Sequence, residues 1–295
     1  MTSDALVGAC ASLGCAWTWA VASLVFAAAL QETKASAAGL GLVKATIAGP
    51  LLVVVGLVSG AGWPDVGDQL GALVITSVLG LLVADTAWLM SLARLGVARG
   101  VFLIPLVPAT TALLAWLMLG EQLGPVALVG GALTLVGVVG ATERPGTERG
   151  GAMTVAGVVV GVAYVLSQAA SNVLLKSVLQ SAAAMHVASL RLMVGIPMLV
   201  VLVVFQGGLA DVRPLLTRTR LPTIVVASLI GTMAGMWLGS VGTQRLPVAV
   251  ATTLAATTPV WALVLLRLRG EAVSLRAVLG AVVAIAGVSL LTLGR

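Results

Sequence analysis

The chain has 295 residues, of which 60% are hydrophobic and 9% are charged, and its formal net charge is +6. Soluble domains carry roughly a quarter charged residues, so this composition excludes a soluble fold and predicts an integral membrane protein. The basic residues are scattered singly or in pairs between apolar runs, which argues against nucleic-acid binding. Two cysteines, Cys10 and Cys15, and the single His186 are too few for a metal cluster or a disulfide framework. We therefore expect no metal and no cofactor.

Apolar runs long enough to cross a bilayer follow one another along the chain. About 20 helical residues cross the hydrocarbon core, and cutting the sequence where charges, glycines and prolines interrupt these runs gives ten candidate spans. They are Ala5–Leu30, Ala37–Ser59, Gln69–Leu95, Val97–Leu119, Pro125–Ala141, Gly151–Val173, Ala184–Gln206, Pro222–Thr243, Val248–Leu268 and Val273–Leu293. The runs do not alternate in polarity as barrel strands do. The predicted fold is therefore an all-α integral membrane protein with ten transmembrane helices.

The second half of the sequence repeats the first. At an offset of 147 residues Lys44 coincides with Arg191. Other residues of the first half coincide with identical residues of the second half, either at this offset, at an offset of 151, or after one further deletion. They include Pro50, Ser77, Gly80, Arg94, Pro108, Gly120, Glu121, Gly130 and Gly137. Each half holds five predicted helices, an odd number, so the second repeat enters the membrane from the opposite side. This predicts inverted repeats over 1–143 and 151–295, joined by a linker at 144–150, with a substrate site at their interface.

Several shared positions form a pattern that is typical of one family. A proline lies in the fourth helix of each half (Pro108 and Pro259), a Gly-Glu dipeptide follows it, and the fifth helix carries Gly-x6-Gly. In these motifs the chain resembles the EamA-like branch of the drug/metabolite transporter superfamily over essentially its whole length. The resemblance implies an inner-membrane carrier, commonly an exporter of amino acids, other metabolites or drugs. It also implies a central cavity lined mainly by the first, third and fourth helices of each repeat.

Charge asymmetry predicts the orientation of the chain. Eleven basic residues lie near span ends on the side opposite the termini, and three lie on the side of the termini. The positive-inside rule therefore places both termini outside the cytoplasm. The family resemblance implies the reverse, because its ten-helix members usually have cytoplasmic termini. We base the prediction of extracytoplasmic termini on the charges of this chain.

Asp85 is the acidic residue that lies deepest in a predicted span. The other nine acids lie in loops or at span ends, whereas Asp85 is about nine residues, roughly 14 Å of helix, from the end of the third span. An intramembrane carboxylate is costly to bury and is a functional candidate by default. In one interpretation it faces a wet cavity, beside Trp88 one helical turn away, and binds a proton or a substrate amine. In the other it is a structural partner of Lys44 on the neighbouring helix, and such a pair could also form a gate.

The sixth predicted helix carries a polar face made by Tyr164, Gln168 and Asn172 at intervals of four residues. In lipid such a face must point at protein or water. It therefore either lines the substrate site or makes hydrogen bonds between helices. The counterparts at an offset of 147 are apolar: Trp17, Val21 and Val25.

Aromatic and hydroxyl groups supply the remaining candidates for substrate contact. Trp17 and Trp237 lie at depths comparable to Asp85, where indole rings suit the apolar part of a substrate or simply pack. The prolines Pro108 and Pro259 predict irregular helices. Nearby hydroxyls, such as that of Thr257, then either bond to the carbonyls that proline leaves unpaired or contact the substrate.

Arg191, inside the seventh span, either meets a substrate carboxylate or shares a structural role with Lys44. One intramembrane acid and one histidine do not form an aspartate pair or a Ser/His dyad, so we expect no enzyme. The sequence predicts a secondary active transporter, an exporter of amino acids or other small metabolites, or of amphipathic or cationic drugs, with proton coupling through Asp85. The expected partners are a small-molecule substrate, protons and the lipid bilayer, with the chain a monomer or a homodimer. The alternative is a membrane scaffold or receptor subunit that transports nothing.

Overall fold

The structure is a computed structural model that describes residues 3–59, 67–91, 106–121, 124–141, 155–268, 270 and 274–293. Within these ranges the regular structure is helical and includes no β-strand. The predicted linker at 144–150 lies outside the described residues. The same is true of Glu271 and of some basic residues used for the orientation: Arg94, Arg99, Arg144, Arg149, Arg269 and Arg295.

The described helices follow the predicted spans closely. They are α1 (Ser3–Thr33), α2 (Ala37–Val58), α3 (Gly67–Ser91), α4 (Leu106–Leu119), α5 (Pro125–Ala141), α6 (Val155–Ser181), α7 (Ala184–Gln206), α8 (Leu221–Arg245), the two-part α9 (Val248–Ala255 and Thr258–Leu268) and α10 (Leu275–Leu293). Seven of them, α1 to α3 and α6 to α9, are long and apolar enough to cross a membrane, while α4, α5 and α10 contain shorter apolar helices. The prediction of an all-α fold is confirmed, and the number of ten spans stays a prediction.

Equivalent helices of the two halves pack on each other, α2 against α7 and α5 against α10. At the α5–α10 crossing, a methyl group added at Gly137 would overlap the backbone of Ala284, and one added at Gly287 would overlap the backbone of Thr134. Gly137 corresponds to Gly287, and Thr134 corresponds to Ala284, at an offset of 150 residues. The Gly-x6-Gly motif therefore lets two equivalent helices touch backbone to backbone, as small residues do at other membrane helix interfaces.

The helices α3 and α8 each contain a π-helical segment, Val78–Asp85 and Ser228–Ala234. Such segments are short and widened, and they are frequent at functional sites. The two segments occupy corresponding positions in the two halves. The duplication is therefore visible in an irregularity of the backbone as well as in the sequence.

The contacts of two corresponding glycines fix the alignment of α1 with α6. A methyl group at Gly80 would meet Ser171 on α6, and one at Gly231 would meet Ala22 on α1. Ser171 therefore corresponds to Ala22 at an offset of 149 residues. The structural counterparts of the polar face on α6 are Cys15, Trp19 and Ser23. The offset of 147, which selected Trp17, Val21 and Val25, was wrong for this helix because two more residues separate Ala22 from Lys44 than separate Ser171 from Arg191.

Candidate functional site

A cavity of about 200 Å³ lies between the two halves of the molecule. Its wall takes side chains from α1, α3 and α4, from the corresponding helices α6, α8 and α9, and from α2 and α7. The charged and aromatic members of the wall are Trp19, Phe26, Lys44, Asp85, Trp88, Tyr164 and Arg191. The wall thus includes the first, third and fourth helices of each half, as the family resemblance implied. The helices α2 and α7 contribute Lys44 and Arg191 to it.

Asp85 faces this cavity and is also paired with Lys44. The Lys44 Nζ atom lies 2.6 Å from Asp85 Oδ1, and the two side chains are 10% and 21% exposed. The same ammonium lies 5.4 Å from the centre of the Phe26 ring, close enough for a cation–π contact. The structure therefore joins the two interpretations of Asp85, because the acid that lines the cavity is the one that neutralises the buried lysine.

Arg191 is held differently, by neutral groups. Its Nη2 donates to the Thr76 carbonyl oxygen at 3.1 Å and to Ser171 Oγ at 3.0 Å, and the Ser171 hydroxyl donates to the same carbonyl. Thr76 lies just before the π segment of α3, where the change in backbone hydrogen bonding leaves carbonyls for other donors. The Arg191 Nε–H is buried and has no hydrogen-bond partner among the described residues. No carboxylate in the described part of the chain pairs with Arg191.

The polar face of α6 lines the cavity, as one of its two interpretations required. Gln168 Nε2 donates to Asn172 Oδ1 at 2.9 Å within the helix, and both amides belong to the wall. Tyr164 is buried with its ring centre 5.3 Å from that of Trp88. The α6 face therefore combines an amide pair with an aromatic pair next to Asp85.

Two of the predicted tryptophans lie outside the wall. Trp17 is 43% exposed and Trp237 is 38% exposed, and neither contributes to the cavity. On α1 the wall is formed by a different face: Ser12, Cys15, Trp19, Ala22, Ser23 and Phe26. Sequence reasoning missed Trp19 and Phe26. The offset of 149 would have identified Trp19, because that residue corresponds to Gln168.

The two proline-containing helices contribute unequally. Pro108 lines the cavity, whereas Pro259 is buried beside the interruption of α9 and lies outside the wall. Thr257, at that interruption, donates its hydroxyl proton to the Leu254 carbonyl at 2.7 Å and does not line the cavity. Its neighbour Thr258 does. Thr257 thus supports the broken backbone, which is one of the two roles that the sequence suggested.

The Gly-Glu dipeptide of the first half fastens a helix of the second half. The Glu121 carboxylate accepts hydrogen bonds from the Val248 N–H at 3.2 and 2.9 Å, where α9 begins. A carboxylate at a helix N-terminus satisfies an otherwise unpaired N–H and suits the helix dipole. Gly120, just before it, has a φ of +66°, which favours glycine. The helix that Glu121 caps therefore belongs to the other half of the molecule.

Further polar contacts tie helix ends together. Lys176 on α6 donates to three carbonyl oxygens at the end of α8, those of Thr243, Gln244 and Leu246. The Gln244 amide donates in return to two carbonyls at the end of α6, and Arg245 pairs with Asp4 of α1. At the other end of α1, the Asp211 carboxylate accepts from the Ser36 N–H at 3.0 Å, and Arg220 pairs with Glu32.

An all-helical fold of two matching halves, with a charged cavity between them, defines a multi-pass membrane protein of the transporter class. The model of the EamA-like transporter family matches residues 6–142 and again residues 155–293. The chain belongs to this family, which is consistent with the drug/metabolite transporter superfamily and confirms the resemblance found in the sequence. One match to each half also confirms the duplication.

The chain is similar over nearly its full length to a solved structure described as the crystal structure of a protein. The TM-score is 0.80 at 20% identity, and the alignment covers 99% of this chain and 97% of the other. This likeness concerns the fold alone. None of the curated proteins compared with the chain matches it.

Proposed function

We propose that this protein is a secondary active transporter of small molecules that works by alternating access. In this proposal ten spans form two inverted repeats, residues 1–143 and 151–295, joined at 144–150. The observation that carries the proposal is the position of the charged cavity between the two halves, where inverted-repeat transporters bind their substrates. Membership of the EamA-like transporter family supports the same function.

The cavity wall favours small amphipathic substrates. Trp19, Trp88 and Phe26 offer aromatic faces to an apolar body, while Gln168 and Asn172 offer amides to a polar group. Amino acids and other metabolites fit this description, as do cationic amphipathic drugs. We propose export across the inner membrane as the direction of transport, by a monomer or a homodimer.

Asp85 is the proposed coupling residue. Its carboxylate is bonded to Lys44 at 2.6 Å, so a proton or a substrate cation that binds Asp85 competes with the lysine ammonium. The contact between Asp85 and Lys44 differs between the charged and the protonated carboxyl group. A ligand shifts a conformational equilibrium only when its interactions differ between the two conformations, and this ion pair can provide such a difference. Protonation of Asp85 on one side of the membrane and deprotonation on the other would couple transport to the proton gradient.

The polar contacts at helix ends fit two alternating gates. In the ten-span topology, the contacts of Lys176, Gln244 and Glu121 lie on the side of the chain termini. Those of Ser36 with Asp211 and of Arg220 with Glu32 lie on the opposite side. Opening of the cavity to one side requires the contacts on that side to break while the others hold.

A transport assay with purified protein tests the function. Proteoliposomes with and without an imposed pH gradient are supplied with radiolabelled amino acids, amines and cationic drugs, and protein-free liposomes serve as the control. We expect at least one substrate class to move faster than in the control, and faster still with the pH gradient. Uptake equal to the control for every class would favour the scaffold alternative, and uptake indifferent to the pH gradient would contradict proton coupling.

We propose extracytoplasmic termini, on the basis of the positive-inside rule. Alkaline phosphatase and a fluorescent protein, fused separately to the C-terminal end, report the two orientations. Phosphatase activity without fluorescence is expected. Fluorescence without phosphatase activity would reverse the orientation and leave the fold unaffected.

A further inference from the structure

We propose that Arg191 is the binding site for an acidic group of the transported molecule, a carboxylate in the simplest case. This inference rests on the proposed transport function and specifies the chemistry of one end of the substrate. Arg191 lies in the cavity wall, about two turns into α7. Its partner groups, its charge and its counterpart in the first half all point to an anion that comes from outside the protein.

The charges of the cavity wall do not balance. Among the described residues, the wall contains two basic side chains, Lys44 and Arg191, and one carboxylate, Asp85. Asp85 is taken by Lys44, and in the described part of the chain no carboxylate is bonded to Arg191. Arg191 is only 7% exposed, and a buried charge is normally accompanied by a partner of opposite sign. The cavity therefore has an excess positive charge at this place.

The hydrogen bonds of Arg191 fix the guanidinium and leave a donor unused. The Nη2 bonds to Thr76 and Ser171 hold the planar group against α3 and α6. The buried Nε–H has no partner among the described residues. An acidic ligand in the cavity would supply the missing negative charge. A rotation of the guanidinium toward the ligand would let one ligand oxygen accept the unused Nε–H, and arginine suits carboxylates for both reasons.

The corresponding site of the first half contains a carboxylate that pairs with its buried cation. Among the described residues, Arg191 has no such partner. Lys44 and Arg191 correspond at an offset of 147, and the position of Asp85 is occupied by Met236 in the second half, at an offset of 151. Met236 also lines the cavity. Among the described residues, the site of the first half thus contains both the cation and its counter-ion, whereas the corresponding site of the second half contains the cation alone. In the second half, the counter-ion is the ligand.

Three probes with one apolar body test the proposal. Phenylacetate is an anion, phenylacetamide is its neutral isostere, and phenethylamine is a cation. Binding to the purified full-length protein is measured by quenching of tryptophan fluorescence, since Trp19 and Trp88 line the cavity, and by thermal stabilisation. We expect phenylacetate to bind at least an order of magnitude more tightly than phenylacetamide. Equal affinity of these two, no binding of phenylacetate at millimolar concentrations, or a preference for phenethylamine alone would overturn the proposal.

Substitutions assign the preference to Arg191. In Arg191→Gln, phenylacetate is expected to bind no better than phenylacetamide, whose own affinity stays the same. Arg276, exposed at the start of α10, gives a control, because Arg276→Gln removes one positive charge far from the cavity and should leave all three affinities unchanged. A preference for phenylacetate that survives in Arg191→Gln would overturn the proposal.

Arg191→Lys provides a second variant if Arg191→Gln does not fold. It keeps the positive charge and removes the planar group, so we expect part of the preference for phenylacetate to remain. Full retention of that preference would contradict recognition by the guanidinium. Because binding is measured at equilibrium, a protein that prefers the anion but moves no substrate in liposomes would contradict the transport function and leave the anion site standing.

Discussion

The two halves of the molecule carry a buried cation at the same position and hold it with different partners. Lys44 is bonded to Asp85 at 2.6 Å, whereas Arg191 is held by a hydroxyl and a carbonyl, with Met236 where the acid would lie. The packing of α5 against α10 is symmetric, because Gly137 and Gly287 make matching contacts in the two halves. The backbone contacts thus maintain the duplicated scaffold while the charges of the cavity differ between the halves. In the proposed transporter, this asymmetry would let one cavity distinguish the two ends of a substrate.

The largest expected effect comes from breaking the pair of the first half. Asp85→Asn leaves the Lys44 ammonium without a counter-ion, which costs about 3–5 kcal/mol for a buried pair, and it also removes the carboxylate that we propose as the coupling group. We expect a lower Tm in thermal unfolding and a fall of an order of magnitude or more in proton-coupled transport. In the second half, Arg191→Met removes a cation that has no acid partner, so its cost should be smaller, about 1–3 kcal/mol for the lost hydrogen bonds.

The double variant Lys44→Met with Asp85→Asn separates the two roles of Asp85. Stability should return, since no unpaired charge remains, while transport should stay low. Recovery of both stability and transport would show that Asp85 is an internal counter-ion and not the coupling residue.

The next largest effect compares the two glycines of the π-helical segments. A methyl group at Gly231 would meet the side chain of Ala22 on α1, whereas one at Gly80 would meet the flexible end of Arg191 and the Ser171 hydroxyl. Overpacking typically costs about 1–3 kcal/mol. We expect Gly231→Ala near the upper end of that range and Gly80→Ala near the lower end, measured by thermal unfolding.

Gly71, another glycine of α3, serves as a control for the intrinsic effect of replacing glycine by alanine. Gly71 has no atom within 4 Å of an added methyl group, so Gly71→Ala should not destabilise the protein. Equal losses at Gly80 and Gly231 would contradict the unequal packing. Gly80→Ala should in addition weaken phenylacetate binding, because it displaces Arg191.

An acid placed in the second half would make the two halves alike. In Met236→Asp, the new carboxylate should pair with Arg191 as Asp85 pairs with Lys44. It would then compete with an acidic ligand, and we expect phenylacetate affinity to fall about tenfold, equivalent to 1.4 kcal/mol. Fluorescence titration measures the change, with Met236→Asn as the neutral control. Unchanged affinity in Met236→Asp would show that positions 85 and 236 are not functionally equivalent.

The sequence predicted the spans and the duplication because both follow from one-dimensional patterns, apolar length and recurring residues. It also placed Lys44 within reach of Asp85, since the depth of each residue follows from counting helical residues from a membrane edge. It did not identify the inward face of α1. Lipid and protein interior are both apolar, so hydropathy does not separate Trp17 from Trp19. The two additional residues between Ala22 and Lys44 then shifted the alignment to the wrong tryptophan.

Glu121 shows the same limit for contacts between the halves, and it gives the smallest expected effect. A sequence pattern suggests a cap but not its partner, which here is the Val248 N–H at the start of α9. Glu121→Gln keeps an acceptor oxygen and removes the charge that favours a helix N-terminus, so we expect a loss of only about 0.3–1 kcal/mol. Glu121→Ala removes the acceptor as well and should cost more, about 1 kcal/mol or above. Thermal unfolding of both variants measures the order. A Glu121→Gln loss as large as that of Glu121→Ala would mean that charge, and not the hydrogen bond, holds the two halves together at this junction.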